Sequence, residues 1–384
     1  MTDGGEQSEF GDDDDEDGTG RLTSALTRRR LAIAGSMLVV AGLVVAVREI
    51  DLRTVVAEIS SADPLVLGAA VVVYAISWPL RGRRYGDVLA AIGHRRETVV
   101  PTLAIFASQT ANLAMPARAG DGVRAYVMNR TRDVPYAAGV ASLTVERLFD
   151  LATIAALGVG ATVWLAVGGE TALLELVAET GGARTALLAA AAVSTATVGV
   201  GAVVVTSARA DHGLGAWLRT QGQERPWLEG ALEAAVQFAA DVQVVARKPR
   251  ALATIGAGSL LVWSLDVLTA VLVLAALDSG LSIGALLSVG TLAVSVGNLA
   301  KVLPLSQGGV GLYEAAFTAL VVGLTPVGAS VALAAAIVDH ALKNGVTLLG
   351  GVGAGAWLGL SLSDATAQPK ATRETASVLG KPKK

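Results

Sequence analysis

Cysteine is absent from the 384-residue sequence. Its absence excludes disulfides, thiolate metal sites and cysteine nucleophiles, and leaves the redox compartment open. Histidine is nearly absent too: His94, His212 and His340 are the only three. They are scattered and form no HExxH pattern, so neither a catalytic zinc nor any other cofactor is expected. Charged residues make up only 16% of the chain, against about 25% in ordinary soluble domains. A chain with so little charge lacks the material for a fully wetted surface. What it has is apolar sequence, 53% of the total. The runs Leu31–Val47, Leu65–Leu80, Ala251–Leu277 and Gly328–Leu360 each approach or exceed the roughly 17–25 residues that cross a bilayer as helix. The fold class this implies is an all-α polytopic membrane protein.

The acidic charge is concentrated at one end. Residues 1–20 carry nine acidic side chains and no basic one, including Asp12–Asp17, and without them the formal balance moves from −3 to +6. Such a segment repels itself and buries nothing, so 1–27 is expected to be a disordered tail. No signal peptide is expected, because no small-residue cleavage site follows the run after Arg28–Arg30. Basic residues cluster at Arg28–Arg30, at Arg81, Arg83, Arg84, Arg95 and Arg96, between Arg209 and Arg250, and from Lys370 to Lys384. Glu49–Asp63, Gly168–Gly182 and Asp278–Ser282 are mostly acidic or neutral. The positive-inside rule then puts both termini in the cytoplasm of a multi-pass cell-membrane protein. The expected organisation is a first membrane half at 28–206, an amphipathic cytoplasmic linker at 207–250, a second half at 251–362 and a basic tail at 363–384. The repeat boundary can also fall before the span at 183–206.

The halves resemble one another. Asn112-Leu113-Ala114, Pro116, Gly120 and Gly122 in the first are matched by Asn298-Leu299-Ala300, Pro304, Gly308, Gly309 and Gly311 in the second. Farther on, Glu146-Arg147 is matched by Asp339-His340, and Asp150 aligns with Lys343. Arg118, Arg124, Arg130 and Arg132 all favour the cytoplasm, so Val99–Met128 is expected to enter from inside and return, broken where proline and glycine weaken the helix. Ile283–Gly323, broken at Pro304–Gly311, would enter from outside. This gives six full spans and two re-entrant hairpins as an inverted repeat, with eight full spans as the alternative. Broken helices at matching places in two halves point to a substrate site.

Ionisable residues at membrane depth mark function by default. Glu146 and Asp150 share a helix face at i, i+4, as do Asp339 with Lys343 and His340 with Asn344. Asp266 lies in mid-span, and Lys301 and Glu314 flank the second break. One structural alternative is that these residues clasp the halves together, for instance Glu146 to Lys343. Backbone amides freed at Gly120–Gly122 and Gly308–Gly311 would attract an anion, with Arg118, Arg124, Arg147 and Lys301 adding positive charge. Arginine holds phosphate in a bidentate fork. A lipid bearing a phosphate head group suits such a cavity.

PARAGDGVRAYVM at Pro116–Met128 and VERLFD at Val145–Asp150 resemble the first signature of the lysylphosphatidylglycerol synthase transmembrane family, also called flippase-like. PLSQGGVGLYEAAF at Pro304–Phe317 resembles the second. The resemblance covers roughly Leu31–Leu360. It implies a domain that moves aminoacylated phospholipids or is tied to polyprenyl-phosphate sugars. Its motif positions fall on Pro116, Arg118, Gly120, Asp121, Glu146, Arg147, Pro304, Gly308, Gly309, Gly311 and Glu314. A departure is His340, where arginine is expected. The aminoacyl-transferase domain of some members is not found in this sequence, so lysyl transfer is not inferred.

The function expected is a non-enzymatic flippase-like protein that translocates or binds an anionic lipid or polyprenyl-phosphate-linked sugar. The runner-up is a non-transporting scaffold or accessory subunit for lipid or glycan biosynthesis. An intramembrane enzyme ranks third, because Ala119-Gly120-Asp121 is only faintly like an aspartyl protease motif and no second aspartate matches it. The partners expected are a membrane lipid or lipid-linked sugar phosphate and a glycosyltransferase or lipid-synthesis protein, with no nucleic acid.

Overall fold

The computed structural model describes residues 52–115, 120–167, 248–301 and 307–360. The two tails, the linker at 207–247, the expected spans at 31–47 and 183–206, and the site residues Pro116, Arg118 and Pro304 lie outside the described residues. Among the described residues there are nine α-helices and no strand. They are α1 (Leu52–Ser61), α2 (Pro64–Ala91), α3 (Val99–Ala114), α4 (Asp121–Arg132), α5 (Tyr136–Val167), α6 (Pro249–Ala276), α7 (Ile283–Ala300), α8 (Leu312–Leu324) and α9 (Ala329–Leu358). Four of these, α2, α5, α6 and α9, contain stretches long and apolar enough to cross a membrane. Each runs about 40 Å or more at 1.5 Å per residue.

Local chemistry sets the helix starts. Pro64 opens α2 behind Asp63, whose carboxylate accepts from the Leu65 and Val66 N–H groups at 2.8 and 3.3 Å. A proline at the first helical position costs no hydrogen bond. Pro249 opens α6 in the same way, and Ser282 Oγ caps α7 by accepting from Ala285 N–H at 3.2 Å. The second break is built on Gly308, Gly309 and Gly311, with φ of 63°, 76° and 85°. A side chain resists that left-handed region, so the turn needs glycine there.

Two helix pairs form hairpins. At the open end of the first, Arg132 Nε donates to Glu97 Oε2 at 2.7 Å. At its tip, Asn112 Nδ2 donates to Asp121 Oδ1 at 2.7 Å. α7 and α8 likewise pack on one another. The arms span 16, 12, 18 and 13 residues, three of them short of the roughly 17–25 residues of a crossing and the fourth at its lower edge. α3 and α7 end on the alanine of their Asn-Leu-Ala triplets, Ala114 and Ala300.

The long helices fix the directions. Asp63 N–H donates to Ala276 O at 2.9 Å, and Lys248 Nζ donates to Ala91 O at 2.6 Å. Hence α2 and α6 are antiparallel, each starting where the other ends. The first hairpin opens where α2 ends, and the second follows the end of α6, at the opposite end of the pair. Their tips meet between them. A Cβ added to Gly308 would sit 3.1 Å from Leu113 Cδ2. Helix–hairpin–helix therefore occurs twice, as α2 to α5 and as α6 to α9.

One expectation needs correction. The apolar run was expected to end at Leu80 with Arg81, Arg83 and Arg84 on its cytoplasmic flank. Instead α2 continues to Ala91, and Arg84 is only 2% exposed. An arginine can stay inside a helix at that depth because neighbouring helices supply carboxylates. The described part of Glu49–Asp63, read from sequence only as mostly acidic or neutral, forms α1, which buries Val55 and packs on α9.

Candidate functional site

The meeting of the tips leaves a partly open cavity of about 440 Å³ between the long helices. α2 contributes Tyr74, Trp78 and Arg81; α3 contributes Gln109 and Asn112; α5 contributes Glu146, Arg147 and Asp150. Across from them stand Trp263 and Asp266 on α6, Asn298, Lys301, Gly308 and Gly309 at the second tip, and Lys343 and Asn344 on α9. Asp121 completes the first tip.

Most of the charge along this wall is engaged, in two clusters. In the first, Arg84 donates to Asp150 Oδ1 at 2.5 Å, to Glu146 Oε1 at 2.7 Å and to Ser259 Oγ at 2.9 Å. Arg124 donates to the other Glu146 oxygen at 2.8 Å, and Trp263 Nε1 donates to Asp150 Oδ1 at 2.8 Å. Glu146 and Asp150 share a face because they are one helical turn apart, and one guanidinium fork spans both. In the second cluster, Lys343 Nζ lies 3.0 Å from Asp266 Oδ2 and 2.9 Å from Asp339 Oδ2. Tyr313 Oη donates to Asp339 Oδ2 at 2.5 Å. Arg81, at 3.5 Å from Asp266 Oδ1, joins α2 to α6 across the middle. Burying such charges is costly, and what keeps them tolerable is that each has a partner.

These placements sort the residues expected from sequence. Asn112, Asp121, Glu146, Arg147, Asp150, Asp266, Asn298, Lys301, Gly308, Gly309 and Lys343 are brought together around one cavity. Arg124 is not a free anion-binding charge: it is 1% exposed and occupied by Glu146. A Glu146–Lys343 clasp does not form, since Glu146 holds Arg84 and Arg124 while Lys343 holds two aspartates. Gly311 offers no free amide, because Glu314 Oε2 accepts from its N–H at 2.6 Å. Gly120 packs against the α3 backbone at Asn112 rather than lining the cavity. Glu314 Oε1 and His340 Nδ1 are 2.5 Å apart, so histidine, like the arginine expected there, faces a carboxylate. Asp339 and His340 stand behind the wall, 0% and 2% exposed.

Sequence reasoning missed Arg81, Arg84, Trp263, Tyr313 and Gln109. A signal existed for some of them. Arg81 and Arg84 are one turn apart in an apolar helix, and Trp263 precedes Asp266 by one turn.

Four long apolar helices around a cavity that carries charged side chains define a polytopic membrane protein. Residues 31–351 match the family described as Lysylphosphatidylglycerol synthase TM region. The chain belongs to that family, as its two signatures led one to expect. It is also 44% identical over 360 residues to Glycosyltransferase AglD of Haloferax volcanii. That alignment covers 91% of this chain and 58% of the relative, so the chain spans little more than half of that protein's length.

Proposed function

We propose that this protein binds the head group of an anionic, phosphate-bearing lipid or lipid-linked sugar and carries it across the cell membrane. The observation that carries this reading is the polar cavity of about 440 Å³ where two hairpin tips meet inside four long apolar helices. Charged side chains at that depth are expensive and by default mark a substrate path, and broken helices at matching places in two halves are how transporters build such a path. The short arms and the opposed open ends favour re-entrant hairpins in an inverted repeat over eight full spans. Both termini would then face the cytoplasm. The family and the glycosyltransferase relative support a place in lipid or glycan biosynthesis, with a glycosyltransferase or lipid-synthesis protein as partner. No bond-making step is assigned to this chain's own side chains.

Reconstitution into liposomes with a fluorescent phosphate lipid tests the reading. The protein should raise the fraction of probe that a membrane-impermeant quencher reaches from about half to nearly all. Binding without any change in leaflet accessibility would refute transport and leave the scaffold role.

A further inference from the structure

We infer that Glu314 and His340 form a proton-binding site behind the cavity, and that its proton holds the second hairpin tip against α9 and thereby gates lipid movement. The consequence for lipid rests on the transport proposed above; the proton site itself does not.

Glu314 lies in the first turn of α8, directly after the second break. Its Oε2 accepts from the Gly311 N–H at 2.6 Å and fastens the turn built on Gly308, Gly309 and Gly311. Its Oε1 is 2.5 Å from Nδ1 of His340 on α9. One carboxylate therefore joins the turn to a long helix. His340 is 2% exposed, and its Nε2 is buried without a hydrogen-bond partner among the described residues. The polar contact that holds the ring is thus the one whose strength changes with the ring's charge. An imidazolium meets the carboxylate as an ion pair, and away from water that attraction is strengthened. Once the proton has passed to water, only a neutral N–H donor is left.

The first tip has the same link with a different base. Asp121, in the first turn of α4, faces Arg147 of α5 at 3.4 Å, and Arg147 and His340 occupy matching positions in the two halves. Arginine keeps its charge throughout the physiological range, whereas a histidine ordinarily changes charge between about pH 5 and 8. A proton therefore distinguishes the second tip from the first.

The charged groups nearest the ring are engaged with one another. The Tyr313 ring of α8 lies 4.9 Å from the His340 ring, and its hydroxyl donates to Asp339 Oδ2. The ammonium of Lys301, at the end of α7, lies 4.0 Å from the Tyr313 centroid. On α9 itself Asp339 pairs with Lys343 at 2.9 Å. From α6 and α2, Asp266 and Arg81 approach on the Lys343 side, with Tyr74 beside Arg81. α3 carries no ionisable side chain, and α1 carries Arg53 and Glu58. Among the described residues, Glu314 is the carboxylate in ion-pair contact with the ring. A tip docked by that ion pair binds the proton more tightly than a tip drawn away from α9. Lower pH therefore favours docking, and raising the pH through the imidazole's titration loosens the tip. Gly308 and Gly309 of this tip line the cavity, so a head group leaving on that side needs the tip to move. Lipid movement should quicken as pH rises.

The test reads the tip and the lipid separately. The chain has no cysteine, so Val310→Cys at the tip, 59% exposed, and Leu349→Cys on α9, 77% exposed, can carry spin labels for distance measurement in nanodiscs. The distribution should be narrow at about pH 5.5 and broader at about pH 8.5, on either side of an ordinary histidine's titration. His340→Arg should stay narrow at both values and His340→Gln broad at both, with melting curves as folding controls. If His340→Gln does not fold, the comparison of wild type with His340→Arg still decides. In liposomes at equal pH on both sides, the probe is fluorescent phosphatidylglycerol, whose phosphodiester keeps one charge over this range. Its transfer should rise about three- to tenfold between those pH values in the wild type and stay flat in His340→Arg. A wild-type tip that ignores pH, or a response that His340→Arg retains, would overturn the proton site. Transfer indifferent to pH while the tip responds would overturn the gating. A tip that responds while no lipid is moved at either pH would support the proton site and bring down the transport reading alone.

Discussion

Glu146→Gln is the sharpest test of how the first charge cluster works. The change is nearly isosteric and removes one negative charge from a site 3% exposed. Arg84 keeps Asp150 at 2.5 Å, so its charge stays paired. Arg124 does not fare as well: among the described residues its carboxylate partner is Glu146 alone and its Nε and Nη2 have no hydrogen-bond partner, and it is 1% exposed. Its position over the Tyr85 ring, 5.0 Å from the centroid, already exists in the wild type and offers no new compensation. Removing one partner of a buried pair costs of order 3–5 kcal/mol, and a glutamine oxygen that still accepts one hydrogen bond places the estimate at about 3. Detergent-resistant unfolding with SDS in mixed micelles should register that loss. The Glu146→Gln, Arg124→Met double variant should recover at least half of it, because the stranded charge is then gone. Lipid transfer by the single variant should fall together with its stability. A Glu146→Gln protein within about 0.5 kcal/mol of wild type would refute the clasp, since losses that small belong to exposed ion pairs.

Arg147 should behave in the opposite way. Its side chain is 29% exposed and its contacts to Asp121 and Asp150 are long, at 3.4 and 4.0 Å, so Arg147→Gln should cost under about 1 kcal/mol yet reduce lipid transfer at least tenfold in liposomes. Gly350→Val drives a side chain into the Phe106 ring, which stacks on Trp78 at 3.6 Å. Overpacking of this kind costs about 1–3 kcal/mol, and a melting curve identical to wild type would contradict the α3–α9 contact. The natural absence of cysteine makes sidedness easy to read. Arg95→Cys, beside the open end of the first hairpin, should react with an impermeant maleimide only from the cytoplasmic face. Ile283→Cys, 77% exposed at the start of the second hairpin, should react only from the other face. Labelling of both from the same side would rule out opposed hairpins.

The long helices, the paired breaks and the membrane character were legible because each depends on local sequence: apolar length, proline and glycine position, and charge spacing. The partners of the charged residues were not. Arg84 pairs with residues 62 and 66 positions away, and nothing in the sequence near Arg84 announces them. Reading Leu80 as the end of a span followed from treating arginine as a boundary signal, a rule that fails where carboxylates on a neighbouring helix neutralise it. Arg124 was misjudged by the same logic. Its charge was visible, but whether that charge was free depended on Glu146 arriving from α5.

The two clusters also answer why a duplicated plan would place an acid at 150 and a base at 343. In the first unit α2 supplies the base, Arg84, and α5 the acid, Asp150. In the second α6 supplies the acid, Asp266, and α9 the base, Lys343. The link between the two long helices of each unit is kept, and only its sign is exchanged. Two like-signed copies facing one cavity would repel across it. Opposite signs let the copies attract, as Arg81 of α2 does toward Asp266 of α6 at 3.5 Å. That contact is longer and more exposed than the pairs on either side of it, 18% at Arg81 against 1% at Arg84. The units are also joined by shorter bonds, Arg84 of α2 to Ser259 of α6 at 2.9 Å and Trp263 of α6 to Asp150 of α5 at 2.8 Å, so the cavity is walled by helices that hold one another across it as well as within each unit.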